Sequence, residues 1–315
     1  MTRSDAAAWL QAQSGHELAG VFAFGDSPAL ADELFEFVRR GTKRATAGAV
    51  ADVGPEPFPT PGMYWGVVDG RGEPQVVIQT IDVRTGPLDS VDPAFAWDEG
   101  ESDRTLESWL DAHRRYFRRQ GVEDPDRVEV FFERFRVVWP VADSTMWLAD
   151  GVRELHHDER RWAIAELTRS WGSTRAVSRG VLQDAAGLPA LVAERDGQRT
   201  GLLTFRPRPG GDTEVVTVNA FPPGAGIGGL LLEGIAELGR RNDWRRVWLI
   251  TTNDNTRALR AYQRHGFDLV ALHREAIDQS RQLKPEIPAI GYDGIPIAHE
   301  LELERRLDQD RGTAG

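Results

Sequence analysis

Apolar side chains recur at helical spacing over residues 29–40, where Leu30, Leu34, Phe37 and Val38 share one face between Asp26-Ser27-Pro28 and Gly41. Serine ahead of a proline is a helix start signal and glycine a stop signal, so this stretch is predicted to be a helix. A turn-rich loop at 55–61 leads into runs at 63–69 and 75–84, separated by Gly70-Arg71-Gly72, which is the pattern of a β-hairpin. A second amphipathic helix is predicted over 106–119 and a closing strand over 128–139. Together these predict an α+β domain around a small curved sheet. After the mixed-polarity stretch 140–150 the pattern changes. It predicts a helix at 154–171, strands at 191–194 and 201–206 flanking Asp196-Gly197, and a strand at 214–219. A helix at 226–241, a strand at 247–252, a helix at 256–265 and a strand at 267–273 follow. Strands alternating with helices after an opening hairpin indicate an α/β layer fold.

The length of 315 residues exceeds what one core usually fills. The expected division is therefore a domain at 1–142, a linker at 143–150 and a second domain at 151–315. No apolar run approaches the roughly 18 residues of a membrane span, residues 1–8 carry no apolar signal core, and cysteine is absent. A soluble, cytoplasmic protein with no membrane partner is expected. The formal charge of −11 belongs to the first half, where residues 1–150 hold 15 basic against 26 acidic side chains. Binding to long nucleic acid needs cations that displace phosphate counterions, so DNA is not an expected partner, and a small uncharged ligand suits this half better. The basic run 113–119 reads as a solvated helix face.

Of 38 basic residues only Lys43 and Lys284 are lysine. A lysine, unlike arginine, can lose its proton when desolvated and act as a base, which singles out these two positions. His156-His157-Asp158 lacks the spacing and remote ligand of a zinc site, and no metal is expected.

The predicted strand 214–219 runs into Phe221-Pro222-Pro223-Gly224-Ala225-Gly226-Ile227-Gly228-Gly229, then into a helix. Glycines there let a backbone approach phosphate closely, and a helix N-terminus favours anions, although such a run alone also serves as a tight turn. The following segment carries Asn255, Ala258 and Tyr262 ahead of Gly266-Phe267. Together the two motifs resemble the GNAT N-acetyltransferases over nearly all of 151–307, with the glycine loop matching their Q/R-x-x-G-x-G/A element and the second segment their N-x-x-A-x-x-x-Y helix. The resemblance implies acetyl-CoA as co-substrate, held by Val218, Gly224, Gly226, Ile227, Gly228 and Asn255. It implies Tyr262 as the acid that protonates the departing thiolate and Glu214 as the carboxylate that deprotonates a small-molecule amine acceptor. A solvent-facing Glu214 is the alternative. Pro223 departs from the family's Gln or Arg, which leaves open a degenerate domain that only binds acyl-CoA. The segment 284–288 is a candidate border of the acceptor pocket.

In the first half, Gly25-Asp26-Ser27-Pro28, Gly41-Thr42-Lys43-Arg44-Ala45-Thr46 and Glu99-Gly100-Glu101 resemble the ASCH domain, a small PUA-like β-barrel with flanking helices. Some ASCH proteins are N4-acetylcytidine amidohydrolases and others are viewed as RNA-binding modules. The amidohydrolase pattern places Lys43, Thr46 and Glu99 in one site, with Glu101 or Asp98 as alternatives for the acid. A threonine hydroxyl becomes a nucleophile when a neighbouring base removes its proton. Trp65, Trp97 and Trp109 are candidates to stack a nucleobase. The expected protein is thus an acetyltransferase fused to a domain that binds or hydrolyses a nucleoside-like ligand. The alternative is a non-catalytic RNA-binding or sensor module directing the transferase.

Overall fold

Ser27 begins the first domain's architecture by accepting a hydrogen bond from the Leu30 amide at the start of the second helix. The computed structural model describes residues 1–54, 57–140, 147–222 and 224–307. Pro223, residues 55–56 of the expected loop at 55–61 and the first half of the expected linker lie outside the described residues. Two compact units divide between Thr145 and Met146.

The first unit contains α1 (Arg3–Ser14), β1 (Gly20–Phe22), α2 (Pro28–Arg39), β2 (Ala45–Ala49), β3 (Tyr64–Val68) and β4 (Pro74–Pro87). It continues with α3 (Pro93–Glu99), α4 (Leu106–Arg119) and β5 (Glu129–Trp139). Its sheet runs β1-β3-β4-β5-β2, antiparallel except for the β1/β3 pair. Register shifts between Val77 and Ile78 and between Thr80 and Asp82 bend the long β4/β5 ribbon, giving the curved half-barrel expected of an ASCH-like sheet. One core packs α2 through Leu34 and Val38 on Trp65, Ile78 and Phe135. A second packs α3 and α4 through Phe95, Trp109 and Phe117 on Ala45, Val130 and Phe132. Helix α1 was not visible in the apolar pattern because it buries only Ala6 and Leu10.

The second unit contains β6 (Trp147–Ala149), β7 (Val152–Glu154), α5 (Arg160–Trp171), β8 (Arg175–Ser178), β9 (Val181–Asp184) and β10 (Ala190–Arg195). There follow β11 (Gln198–Arg208), β12 (Asp212–Ala220), α6 (Ile227–Arg241), β13 (Arg246–Thr252) and α7 (Thr256–Arg264), then β14 (Asp268–His273), α8 (Ala276–Leu283) and β15 (Glu300–Arg306). Eight strands form one sheet in the order β14-β15-β13-β12-β11-β10-β7-β6, with β8 and β9 as a separate hairpin. Residues 147–149, within the expected linker, instead pair with β7 around Gly151, whose φ of +69° closes the turn. The helix expected from 154 starts at Arg160, because Glu154 is drawn into the sheet opposite Leu191. His156-His157-Asp158 sits at the turn between them, and no metal-ligand cluster occurs among the described residues. No described helix is long and apolar enough to cross a membrane.

Candidate functional site

In the first unit, the end of α2 delivers Lys43 to the cavity. The amides of Thr42 and Lys43 both donate to the Phe37 carbonyl, turning the chain into β2. Gly100, at φ +77°, closes α3 so tightly on this turn that a Cβ there would come within 2.5 Å of the Thr42 carbonyl oxygen. The two glycine-containing motifs read from the sequence are therefore packed against one another. Lys43 is 2% exposed, and its Nζ donates to Glu101 Oε1 at 2.6 Å and to the Glu99 carbonyl at 3.4 Å. Glu99 is buried, and its Oε2 accepts from Trp109 Nε1. Burial pushes the Glu99 carboxyl above its ordinary range, with the Lys43 charge opposing. Asp98, the other alternative acid, is engaged by Arg44 at 3.0 Å and Arg134 at 2.9 Å, and so ties α3 to β2 and β5.

Lys43, Thr46, Glu99 and Glu101 border one cavity of about 620 Å³, a volume in the range of small-molecule sites. Neither Lys43 nor Glu99 hydrogen-bonds Thr46. Thr46 stands opposite Glu133 in the β2/β5 pair, and Glu133 borders the same cavity. Sequence reasoning missed Glu133; its signal was an acid directly after the apolar run Val130-Phe131-Phe132 in a predicted strand. Glu133 is 5% exposed and accepts a 2.5 Å hydrogen bond from the Thr80 hydroxyl, which in turn receives Trp65 Nε1 at 3.1 Å. Burial pushes its carboxyl up to about 7. Of the three tryptophans expected to stack a base, Trp65 borders the cavity. Trp97 lies beneath the Arg104 guanidinium, and Trp109 belongs to the core. The basic run on α4 is partly neutralised, Arg114 by Asp126 and Arg115 by Asp111.

In the second unit the site is made by backbone. Strand β12 carries a register shift at Val216, where the β11 pairing passes from Thr204–Thr217 to Phe205–Val215. It pairs with β13 only from Asp212 to Val215, after which the two strands part. Val218 lies on the parted segment. The chain then enters the glycine loop, where Gly224 and Gly226 adopt φ of +84° and +81°. A Cβ at Gly224, Gly226 or Gly228 would meet nothing within 4 Å. The contrast with Gly229 is direct, since a Cβ there would strike the His265 imidazole. Internal packing thus explains Gly229, while the three motif glycines face open space. Gly226 caps α6 without any side-chain hydrogen bond, so the first-turn amides and the helix dipole are free to receive an anion. Ile227 is buried with its side chain on Gly201, and it faces the site only through its backbone.

Asn255 caps α7, its Oδ1 accepting the Ala258 amide at 3.3 Å, and so orders the helix that carries Tyr262. The Tyr262 hydroxyl has no hydrogen-bond partner among the described residues. Burial pushes its phenol up to about 12, which keeps the proton on it at neutral pH. Glu214 lies on β12 one residue before the parting of the strands. It is 2% exposed, which overturns the solvent-facing alternative. Gln183 of β9 donates to both of its oxygens at 3.2 and 3.1 Å, and Arg208 lies at 3.6 Å. Lys284 fastens α8 to the hairpin, its Nζ donating to the Arg175 carbonyl at 2.9 Å.

Comparison with known proteins matches residues 20–139 to the ASCH domain model and residues 145–267 to the acetyltransferase (GNAT) family model. A Bacillus subtilis (strain 168) protein, uncharacterized protein YdhI, is 32% identical over 145 residues, covering 45% of this chain and 89% of that one. Among solved structures, the ASCH domain from Lactobacillus crispatus JV V101 is 24% identical with TM-score 0.39, covering 42% of this chain and 94% of its own. A GNAT family acetyltransferase from Elizabethkingia anophelis with acetyl-CoA bound is 19% identical with TM-score 0.34, covering 53% of this chain and 92% of its own. The chain belongs to both families at once, an ASCH domain followed by a GNAT acetyltransferase domain.

Proposed function

We propose that the second unit transfers the acetyl group of acetyl-CoA to the amine of a small molecule, and that the first unit binds and deacylates a nucleoside-like amide such as N4-acetylcytidine. The observation that carries the transferase reading is the set of unobstructed glycines at the uncapped start of α6, beside the parting of β12 from β13. The residues fit the co-substrate. The amides of Gly224, Gly226, Ile227 and Gly228 would hold its pyrophosphate, and the open edge at Val218 would pair with its amide-bearing arm. Acetyl-CoA supplies an acyl group activated as a thioester. Tyr262 keeps its proton near neutrality and has a free hydroxyl, as an acid for a leaving thiolate must. Glu214, oriented by Gln183, is the carboxylate proposed to receive the amine's proton.

For the first unit, the support is a walled cavity holding a lysine, a threonine and several carboxyls, in a half of the chain with 15 basic and 26 acidic residues. That charge disfavours a polyanionic ligand. Calorimetric titration with acetyl-CoA and with N4-acetylcytidine, alongside turnover of each, tests both halves. Binding of acetyl-CoA, with transfer to an amine lost in Tyr262→Phe, is expected, as is cytidine release that is lost in Lys43→Ala. Absence of acetyl-CoA binding defeats the transferase reading. Binding of N4-acetylcytidine without cytidine release leaves the first unit a recognition module.

A further inference from the structure

The first unit's cavity holds a reactive pair that neither motif contains. Thr46 on β2 and Glu133 on β5 are directly opposed, so their side chains leave the same face with Cβ atoms about 5 Å apart. Both border the cavity. Lys43 is committed to Glu101 and the Glu99 carbonyl, and Glu99 to Trp109, whereas Glu133 Oε2 has no partner among the described residues. The other oxygen, Oε1, is fixed by the Trp65–Thr80 relay, which sets the carboxyl's orientation.

We propose that Glu133 is the general base and acid for Thr46, and that the two form the nucleophile pair of an amide hydrolase. This rests on the deacylase reading above and names its proton carrier. The Glu133 carboxylate takes the hydroxyl proton as Thr46 Oγ bonds to the acyl carbon. The C–N bond then breaks, and the same proton passes to the leaving nitrogen. Water adds to the acyl-threonine ester, giving one proton to Glu133, which returns it to Thr46 Oγ as the carboxylic acid departs. Amide and water become acid and amine, with no other reagent. The Lys43 ammonium, at the cavity wall, is placed to offset negative charge on the acyl oxygen.

A carboxyl that titrates near 7 is half base and half acid at the pH of use, which suits both steps. Burial and the Thr80 hydrogen bond are what act on it. The charged groups that border the cavity are Lys43 ahead of β2, Asp26 and Asp52 from loops, Glu99 and Glu101 at the end of α3, and His113 and Arg119 on α4.

The test reads Thr46 itself. The full chain is incubated with p-nitrophenyl acetate, and acetyl on the peptide containing Thr46 is quantified by mass spectrometry from pH 5 to 9, with N4-acetylcytidine hydrolysis followed in parallel. Acetylation of Thr46 is expected to rise with pH through about 7 and to fall roughly 10²-fold in Glu133→Gln. That variant keeps an acceptor for Thr80, and a melt of each variant checks its fold. An unlabelled Thr46 in the natural chain overturns the proposal, as does labelling with no rise near pH 7 or an unchanged rate in Glu133→Gln. Labelling that depends on Glu133, with N4-acetylcytidine left intact, upholds the pair and rejects that nucleoside as the substrate.

Discussion

The two units build their sites from opposite materials. In the first, the chemistry is in side chains buried among one another, where Lys43, Glu99 and Glu133 are each 5% exposed or less. In the second, the loop at 224–228 is built of backbone, and a Cβ at Gly224, Gly226 or Gly228 would point into open space. Buried ionisable groups perturb each other and the fold, so changing one is felt as stability and pH dependence. A glycine loop carries no such coupling, so changing it is felt as ligand affinity and strain at positive φ. The first site is therefore tied to the stability of its unit, and the glycine loop of the second is nearly free of it.

The largest effect that probes this difference is expected from Lys43→Ala. Removing the buried Lys43 leaves the Glu99 carbonyl and the part-exposed Glu101 without their donor and empties the space its stem fills, at a cost of about 3 kcal/mol to the first unit. Hydrogen exchange in urea, resolved by peptide on the full chain, should show residues 1–145 opening earlier and the second unit unchanged. Equal loss in both units would break the contrast. Tyr262→Phe comes next, with the acetyl-transfer kcat down roughly 10²-fold and acetyl-CoA affinity within twofold. A large loss of affinity would instead make the tyrosine part of the binding surface.

Third is pH. Glu133 has a folded pKa of about 7, raised from 4.5, so between those values the folded state holds the proton that the unfolded state has released. The first unit should lose stability as pH rises from about 4.5 to 7, by about 1–3 kcal/mol, and Glu133→Gln should flatten that slope. Glu159 in the second unit has the opposite sign. Its folded pKa is lowered to about 2 from 4.5, where hydrogen bonds from Arg153 and the His156 amide outweigh burial, so its contribution is present above about 4.5 and is lost as pH falls toward 2. Melts of the full chain against pH, with unit-specific peptides, separate the two. The smallest effect sharpens the comparison within one loop. Gly228→Ala should raise stability by about 0.5 kcal/mol through helix propensity while weakening acetyl-CoA binding several-fold. Gly229→Ala must displace His265 from Glu233, to which it is bonded at 3.1 Å, and should destabilise by about 1–3 kcal/mol.

Helices such as α2, α4 and α6 were legible because each presents one apolar stripe to its core, and periodicity reports that directly. Helix α3 was not, because its run Ala94-Phe95-Ala96-Trp97 is buried on every side and has no period to read. Strand β15 and the pairing of residues 147–149 were illegible for a different reason: each is a strand only because a distant partner is present. The glycine loop could be recognised in sequence because positive φ and close approach restrict residue type locally. Lys43, Thr46 and Glu99 were reachable because short motifs carry them, and their meeting at one cavity was an expectation that the packing of Gly100 on Thr42 realises.

What the sequence determined by itself was the local part: two domains, the order of their amphipathic helices and main strands, a glycine turn ahead of a helix, and a lysine kept where arginine is the rule. What the tertiary structure alone decided was which groups face each other. Only cross-strand register puts Glu133 opposite Thr46, and only the β9 hairpin brings Gln183 onto Glu214. Residues 87 and 31 positions apart become neighbours through hydrogen-bonded pairing and burial, and those are properties of contacts between segments that no single segment encodes.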